Sequence, residues 1–471
     1  MTQIFIGIHV ASVIGLAVYG LLGFFTLRLY LRHKSDEFAL PSINPGQLPI
    51  VTVQLPVYNE SEVIQRLIAS VVRLDYPIDR LEIQILDDST DETTSLAAES
   101  VSKYAAEGIN ITLLHRNSRQ GFKAGALAEA LPRTSGEFIA VFDADFVPPP
   151  DFLLRTVPYL MDNPDLGAVQ ARWGHLNDGD SGLTGAQAVA LDKHFAIEQF
   201  VRHRADLFPK FNGSAGVWRR DCIVDSGGWN VDTVCEDLCL STRAVLGGWQ
   251  FHFAHEVVAP AELPPTILAY KAQQARWAMG ATQCLTKYAL PILQASQKSR
   301  TARIYALLSM SAYLTHGLLL SLILVQLPLV LLDVRLPSWL YLFTFLGLGQ
   351  PILFFLAQEI LYRDWLSRLR HFPSLLLIAI GIAPSNTVAV LQGLKNREFT
   401  FNRTPKGTSL LYRLSPDRTL FLEIGFMLYS GITLALAIYL GFTGSIVLLG
   451  SALLGFGYIV SQSLKEHLAT T

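Results

Sequence analysis

The hydrophobic pattern of the chain changes character several times. Residues 4–27 carry no formal charge, and Arg28, Arg32, His33 and Lys34 follow at once. An apolar run of that length predicts a membrane-spanning helix, with the basic flank placing its C-terminal end in the cytoplasm. It is too long for the core of a secretion signal and lacks a clear small-residue cleavage site. Residues 41–49 read as a linker. Across 50–300, β-rich runs at 51–55, 82–86, 110–114, 138–142 and 167–171 alternate with helix-like segments such as 60–73 and 91–106. This alternation predicts an α/β domain with a mainly parallel sheet and covering helices. From about 304 the chain is apolar again, with candidate spans at 305–332, 337–361, 422–440 and 444–462. Segment 372–394 is also apolar, but Gly381 and Ala383-Pro384-Ser385-Asn386 interrupt it, which predicts an interfacial or re-entrant stretch. The expected units are a first span (1–35), a cytosolic domain (36–300), two spans (301–371), an interfacial stretch with a basic loop (372–421) and a C-terminal hairpin (422–471).

Composition agrees. The chain has 471 residues, 51% hydrophobic and 16% charged, with a mean hydropathy of +0.34, too apolar for an ordinary soluble enzyme. A net charge of −2 provides no basic field for nucleic acid, so no nucleic-acid partner is expected. Cys222, Cys235, Cys239 and Cys284 form no C-x-x-C pair and read as reduced, structural thiols of a cytosol-facing domain. The chain has no G-x-G-x-x-G, so the dinucleotide fingerprint is missing.

The candidate chemistry sits at strand ends. The run 138–142 leads into Asp143-Ala144-Asp145 ahead of three prolines. In extended chain, residues two apart face the same side, so both carboxylates are expected at the C-terminal edge of the sheet, where open α/β sheets bind ligands. Two hard oxygen ligands suit Mg²⁺ or Mn²⁺ on a diphosphate. Pro56, Tyr58 and Glu60 end the first strand, and Asp87 and Asp88 end the second. Carboxylates there can accept hydrogen bonds from a nucleobase or ribose. Lys123, among small residues at a helix start, can neutralise a phosphate. Phe211-Asn212-Gly213-Ser214 is small-residue rich and aromatic, a place for a sugar to approach the backbone. Glu236 and Asp237 open an apolar-periodic segment, as a helix cap or as a general base. Gln273, Arg276 and Trp277 share one helix face.

Taken in order, D-D, D-x-D, E-D and Q-x-x-R-W resemble the processive branch of glycosyltransferase family 2, the cellulose synthase superfamily. The chain looks closest to the cellulose-synthase-like enzymes that make β-mannan and glucomannan. The resemblance implies a Rossmann-like nucleotide-diphospho-sugar transferase fold beside transmembrane helices, and inverting transfer from a nucleotide-sugar such as UDP-glucose or GDP-mannose. It implies Asp237 as base, with Asp143 and Asp145 on the divalent metal. Nucleotide-sugar contacts then fall to Pro56, Tyr58, Glu60, Asp87, Asp88, Lys123, Asp143, Gln273 and Arg276, and acceptor contacts to Phe211, Asn212, Gly213, Glu236 and Trp277. Phe401-Asn402-Arg403-Thr404-Pro405-Lys406-Gly407 resembles a family loop that closes over the donor, which implies a diphosphate contact for Thr404 and Lys406. Expected partners are the nucleotide-sugar, the lipid bilayer, and a growing polysaccharide; the alternative is a glycolipid synthase acting on diacylglycerol or ceramide. The expected setting is a plasma (inner) or Golgi-type membrane. Charge flanks give five crossings, with the N-terminus outside and the transferase domain and C-terminus in the cytosol.

Overall fold

The structure is a computed structural model that describes residues 2–36, 39–42, 45–395 and 419–470. All five β-rich runs form strands: β1 (Val51–Val57), β2 (Leu81–Asp87), β3 (Ile111–His115), β4 (Phe138–Val141) and β5 (Leu166–His175). Two more strands, β6 (Gly216–Arg219) and β7 (Gln250–Ala261), complete one sheet of order β3-β2-β1-β4-β6-β5-β7. β1 runs parallel to both β2 and β4, while β6 is antiparallel to β4 and β5. β6 escaped the sequence reading because it has only four residues and follows a small-residue loop. Its strand character comes from its two neighbours rather than from its own alternation.

Helices cover both faces. Ile64–Val72 places apolar residues at 64, 67, 68 and 71, the spacing of one helix face, and all four are buried. With Thr93–Ala106 and Phe152–Asp162 it closes the first core. On the other face, Phe122–Ala130, Glu236–Leu246 and Ile267–Gln294 build a second core, which continues into Tyr305 and Met310 and then Leu353 and Ala357. The sheet domain and the apolar helices thus share one packed interior.

Among the described residues, five helices are long and apolar enough to cross a membrane: Thr2–His33, Leu314–Leu331, Ser338–Leu361, Leu420–Tyr439 and Thr443–Leu468. The run expected as one span at 305–332 is split. Its first part lies in the helix Arg300–Met310, whose Tyr305, Ala306 and Met310 are buried in the second core, so the apolar crossing segment starts at Leu314. Segment 372–394 forms the helices Phe372–Gly381 and Ala383–Leu394, and the helical run Trp365–Gly381 is bent by 47° from Ala383–Leu394 at that break. The first helix crosses its neighbours closely: a Cβ on Gly20 would lie 2.0 Å from the Leu346 carbonyl oxygen, so the crossing requires glycine.

The C-terminal hairpin grips the start of the helix Ile267–Gln294. Lys271 Nζ lies 2.5 Å from Glu423 Oε1, with both side chains almost wholly buried. The Ile267 and Leu268 amides donate to the two Glu466 carboxylate oxygens at 2.6 and 3.0 Å. A carboxylate there meets both the open N–H groups and the positive end of the helix dipole.

Candidate active site

The C-terminal ends of β1, β2 and β4 open on a cavity of about 590 Å³. Pro56, Tyr58, Glu60 and Asp88 line one side of it. Asp88 is fixed by a two-pronged Arg116 ion pair, Nε to Oδ1 at 2.6 Å and Nη2 to Oδ2 at 2.5 Å. Arg119 stacks its guanidinium 3.3 Å from the centre of the Tyr58 ring and also lines the cavity. Asp87 does not line it. It is fully buried and accepts hydrogen bonds from the Ser89 amide at 2.9 Å and Thr94 Oγ1 at 2.7 Å, with His115 Nδ1 at 2.8 Å. Burial alone would raise its pKa, but these hydrogen bonds from Ser89, Thr94 and His115 hold it below the usual carboxylate value. Asp87 therefore shapes the loop, while its neighbour Asp88 faces the ligand space.

At the centre, β4 ends at Val141, and Asp143 and Asp145 sit in the turn beyond it, closed by the Phe146 amide donating to the Asp143 carbonyl at 3.1 Å. The expected extended-chain geometry is thus replaced by a turn, and both acids nonetheless line the cavity. Lys123 Nζ lies 2.5 Å from Asp143 Oδ1, donates to the Gly213 carbonyl at 2.7 Å and lies 3.8 Å from Glu236. Burial would lower its pKa, but the Asp143 and Glu236 carboxylates outweigh that and raise it, so the ammonium stays charged.

Glu236 and Asp237 form the first turn of the helix Glu236–Leu246. Burial, reinforced by the neighbouring Glu236 charge, pushes the Asp237 carboxyl up to about 7, against the opposing pull of Lys123. A base with that pKa is matched to neutral pH. Gly213 (φ +82°) passes directly beneath it: a Cβ there would lie 3.1 Å from Asp237 Oδ2. Gln273, Arg276 and Trp277 lie on one helix and line the opposite wall.

Of the sequence candidates, the cavity gathers Pro56, Tyr58, Glu60, Asp88, Lys123, Asp143, Asp145, Asn212, Gly213, Glu236, Asp237, Gln273, Arg276 and Trp277. Phe211 is not among its lining residues. It is buried, with its ring centre 5.0 Å from that of the equally buried Trp218, so the two support the loop from within the second core. Thr404 and Lys406 fall outside the described residues. Arg116, Arg119 and Trp173 are absent from the sequence candidates. Arg119 precedes a left-handed glycine, Gly121 (φ +74°), by two positions, and that turn was the available signal.

Asp143 and Asp145 fit a divalent cation in part. They supply two hard oxygens on one wall, and among the described residues no group of three or more His, Cys, Asp or Glu can hold a metal. A cation there would complete its shell with diphosphate oxygens and water, the usual pattern for Mg²⁺ or Mn²⁺. The four cysteines are free and buried.

Residues 49–280 match the family model described as glycosyltransferase like family 2. The chain is 44% identical over 268 residues to the probable glucomannan 4-beta-mannosyltransferase 7 of Oryza sativa subsp. japonica, covering 56% of this chain and 46% of that protein. It is 38% identical over 316 residues to glucomannan 4-beta-mannosyltransferase 2 of Arabidopsis thaliana, covering 65% and 58%. The chain thus spans about half the length of these named relatives. In fold it is similar to a mannosyltransferase from Pyrobaculum calidifontis solved with GDP-Man and Mn²⁺, with a TM-score of 0.59 and 23% identity over 83% of this chain and 99% of that one. Residues 49–280 thus form a glycosyltransferase family 2 domain, and its named relatives are glucomannan 4-beta-mannosyltransferases of the cellulose-synthase-like kind.

Proposed function

We propose that the chain is a membrane-embedded, inverting β-mannosyltransferase that extends a β-linked mannan or glucomannan from GDP-mannose. The observation that carries this is the placement of Asp237, a half-buried carboxyl pushed up to about 7 by desolvation and Glu236, in one cavity with Asp143, Asp145 and Arg276. The names of the plant relatives and the GDP-Man held by the archaeal structure support mannose as the sugar.

The chemistry follows from the groups present. A sugar hydroxyl is a weak nucleophile, so Asp237 accepts its proton as the hydroxyl oxygen attacks the anomeric carbon. The bond from that carbon to the diphosphate breaks on the opposite face, and a single displacement turns an α-linked donor into a β-linkage. Lys123 and Arg276 offset the charge that develops on the leaving diphosphate. A Mg²⁺ or Mn²⁺ held by Asp143 and Asp145 would supply further charge neutralisation there. Arg119 and Tyr58, stacked on each other, form a face for the nucleoside, and Trp277 a face for the acceptor sugar.

The product is passed outward through the chain's own helices in this reading, in a plasma or Golgi-type membrane. The spans cross five times: Leu314–Leu331 outward, Ser338–Leu361 inward, Leu420–Tyr439 outward and Thr443–Leu468 inward after the first helix. The bent pair ending at Leu394 stays on the cytosolic side in this reading, as a re-entrant stretch broken between Gly381 and Ala383. Purified protein in detergent, given a panel of labelled nucleotide-sugars, tests the function. Long polymer from GDP-mannose, cleaved by β-mannanase, is the expected product. Short glycolipid products would replace the polymer reading with lipid glycosylation, and no transfer from any donor would overturn both. In a cysteine-free background, Gly444→Cys should react with an impermeant reagent outside intact cells and Lys395→Cys should not. The reverse would overturn the topology.

A further inference from the structure

The helix Gly182–Lys193 does not pass directly into Phe200–Arg204. Between them, His194–Gln199 winds as a π-turn. On an α-helix, residues five apart point about 140° away from each other. In a π-turn, with bonding from i to i+5, they are brought closer to the same face, and such turns recur at functional sites. Here both ends of the turn reach one side chain. Asn212 Nδ2 lies 2.9 Å from His194 Nε2, and Gln199 Nε2 donates to Asn212 Oδ1. Gln199 Nε2 also donates to the Lys210 carbonyl at 2.7 Å, and the Asn212 backbone N–H donates to Gln170 Oε1 at 2.8 Å.

The network assigns the protons. His194 Nδ1 lies 3.1 Å from Glu198 Oε2, and Glu198 pairs with Lys193 at 2.6 Å and Arg202 at 3.8 Å. Glu198 is therefore a carboxylate that accepts from Nδ1–H, which leaves Nε2 to accept from the asparagine amide. Burial lowers the imidazole's pKa, the direction this arrangement requires. Asn212 thus has its carbonyl and one N–H committed. It lines the cavity next to Gly213, which itself touches the space under Asp237. The same turn carries Phe195, whose ring centre lies 5.1 Å from that of Trp173. That indole also lines the cavity and donates to the Ser214 carbonyl at 3.2 Å.

We propose that the π-turn His194–Gln199 is the positioning device of an acceptor subsite. It holds Asn212 so that its second amide N–H faces the cavity beside Asp237 and donates to an oxygen of the acceptor sugar, with the Trp173 indole as the adjoining face. This deepens the transferase reading and rests on it. His194 and Gln199 touch no substrate; they act through Asn212.

Kinetics with GDP-mannose and a soluble β-manno-oligosaccharide test it, following transfer and nucleotide release separately. His194→Phe and Gln199→Leu should each raise the acceptor KM about tenfold, the scale of one hydrogen bond misplaced, with the donor KM within about twofold. His194→Gln, which restores an acceptor atom, should recover most of the loss. Asn212→Ala should raise the acceptor KM by itself, and combining it with His194→Phe should add nothing, because both break one link. Additive effects, an unchanged acceptor KM, or equal losses in the donor and acceptor KM values would overturn the proposal while leaving the transferase reading intact. Absence of transfer by the parent protein would overturn both. Thermal melting of each variant separates lost folding from lost positioning.

Discussion

The two sides of the cavity are built differently. On the side proposed for the nucleotide, Pro56, Tyr58, Asp88 and Asp143 come from the ends of adjacent parallel strands, or within two residues of them, and each is fixed largely by the register of the sheet. On the side proposed for the acceptor, Asn212, Trp173, Asp237 and Trp277 come from a loop, a strand and two helices, and meet only because distant segments pack together. The first side follows from topology, since any chain that pairs these strands places these residues together. The second depends on side-chain networks such as that of the π-turn, and can be retuned for a new acceptor without disturbing the sheet.

The predictions break this contrast in order of size. Chelation, or Asp143→Ala with Asp145→Ala, should reduce transfer to background, and Mn²⁺ or Mg²⁺ should restore the chelated parent but not the double variant. Full activity of the variant under chelator would remove the metal role. Asp237→Asn should lose at least roughly 10²-fold in kcat, the usual worth of a general base, with donor binding by calorimetry nearly unchanged; if Glu236→Gln were the dead variant instead, the base has been misassigned.

Arg119→Ala should raise the donor KM by about three- to tenfold, the scale of a stacked cation, and leave the acceptor KM alone. A matching change in acceptor KM would erase the distinction between the two sides. The pH profile gives a subtler test. Burial and Glu236 raise the Asp237 pKa to about 7, so kcat/KM should climb as pH rises through 7 and then level. Glu236→Gln should move that limb to lower pH. The same shift bears on folding: stability contributed by the protonated acid is present below about pH 4 and is lost as pH rises to about 7. Asp237→Asn should therefore melt above the parent at pH 8, and an equal or lower melting temperature would contradict the raised pKa.

The two sides also differ in how far the sequence revealed them. Runs such as Phe138-Ile139-Ala140-Val141 announce a strand by local composition, and the acids that follow inherit their place from it. Gln273, Arg276 and Trp277 were equally readable, because three- and four-residue spacing survives inside a regular helix. Phe211 was not. Its apolar ring reads the same whether it meets a sugar or Trp218, and only the fold decides. Asp87 and Asp88 are chemically identical neighbours, and which one turns inward depends on Thr94 and His115, the latter 28 positions away from Asp87. Arg119 and Trp173 escaped because their partners Tyr58 and Ser214 are 61 and 41 residues distant. The π-turn has no composition of its own, so no period could expose it.

The grip of Glu423 and Glu466 on the helix Ile267–Gln294 also sets a timetable for biosynthesis. Every motif from Pro56 to Trp277 leaves the ribosome well before either carboxylate exists. Until the last hairpin is made, the helix carrying Gln273, Arg276 and Trp277 lacks the Glu466 carboxylate that caps its first turn and the Glu423 carboxylate that pairs with Lys271. The wall holding Arg276 and Trp277 is thus expected to set only when the C-terminal hairpin is in place, so that a half-made chain would not begin the proposed sugar transfer.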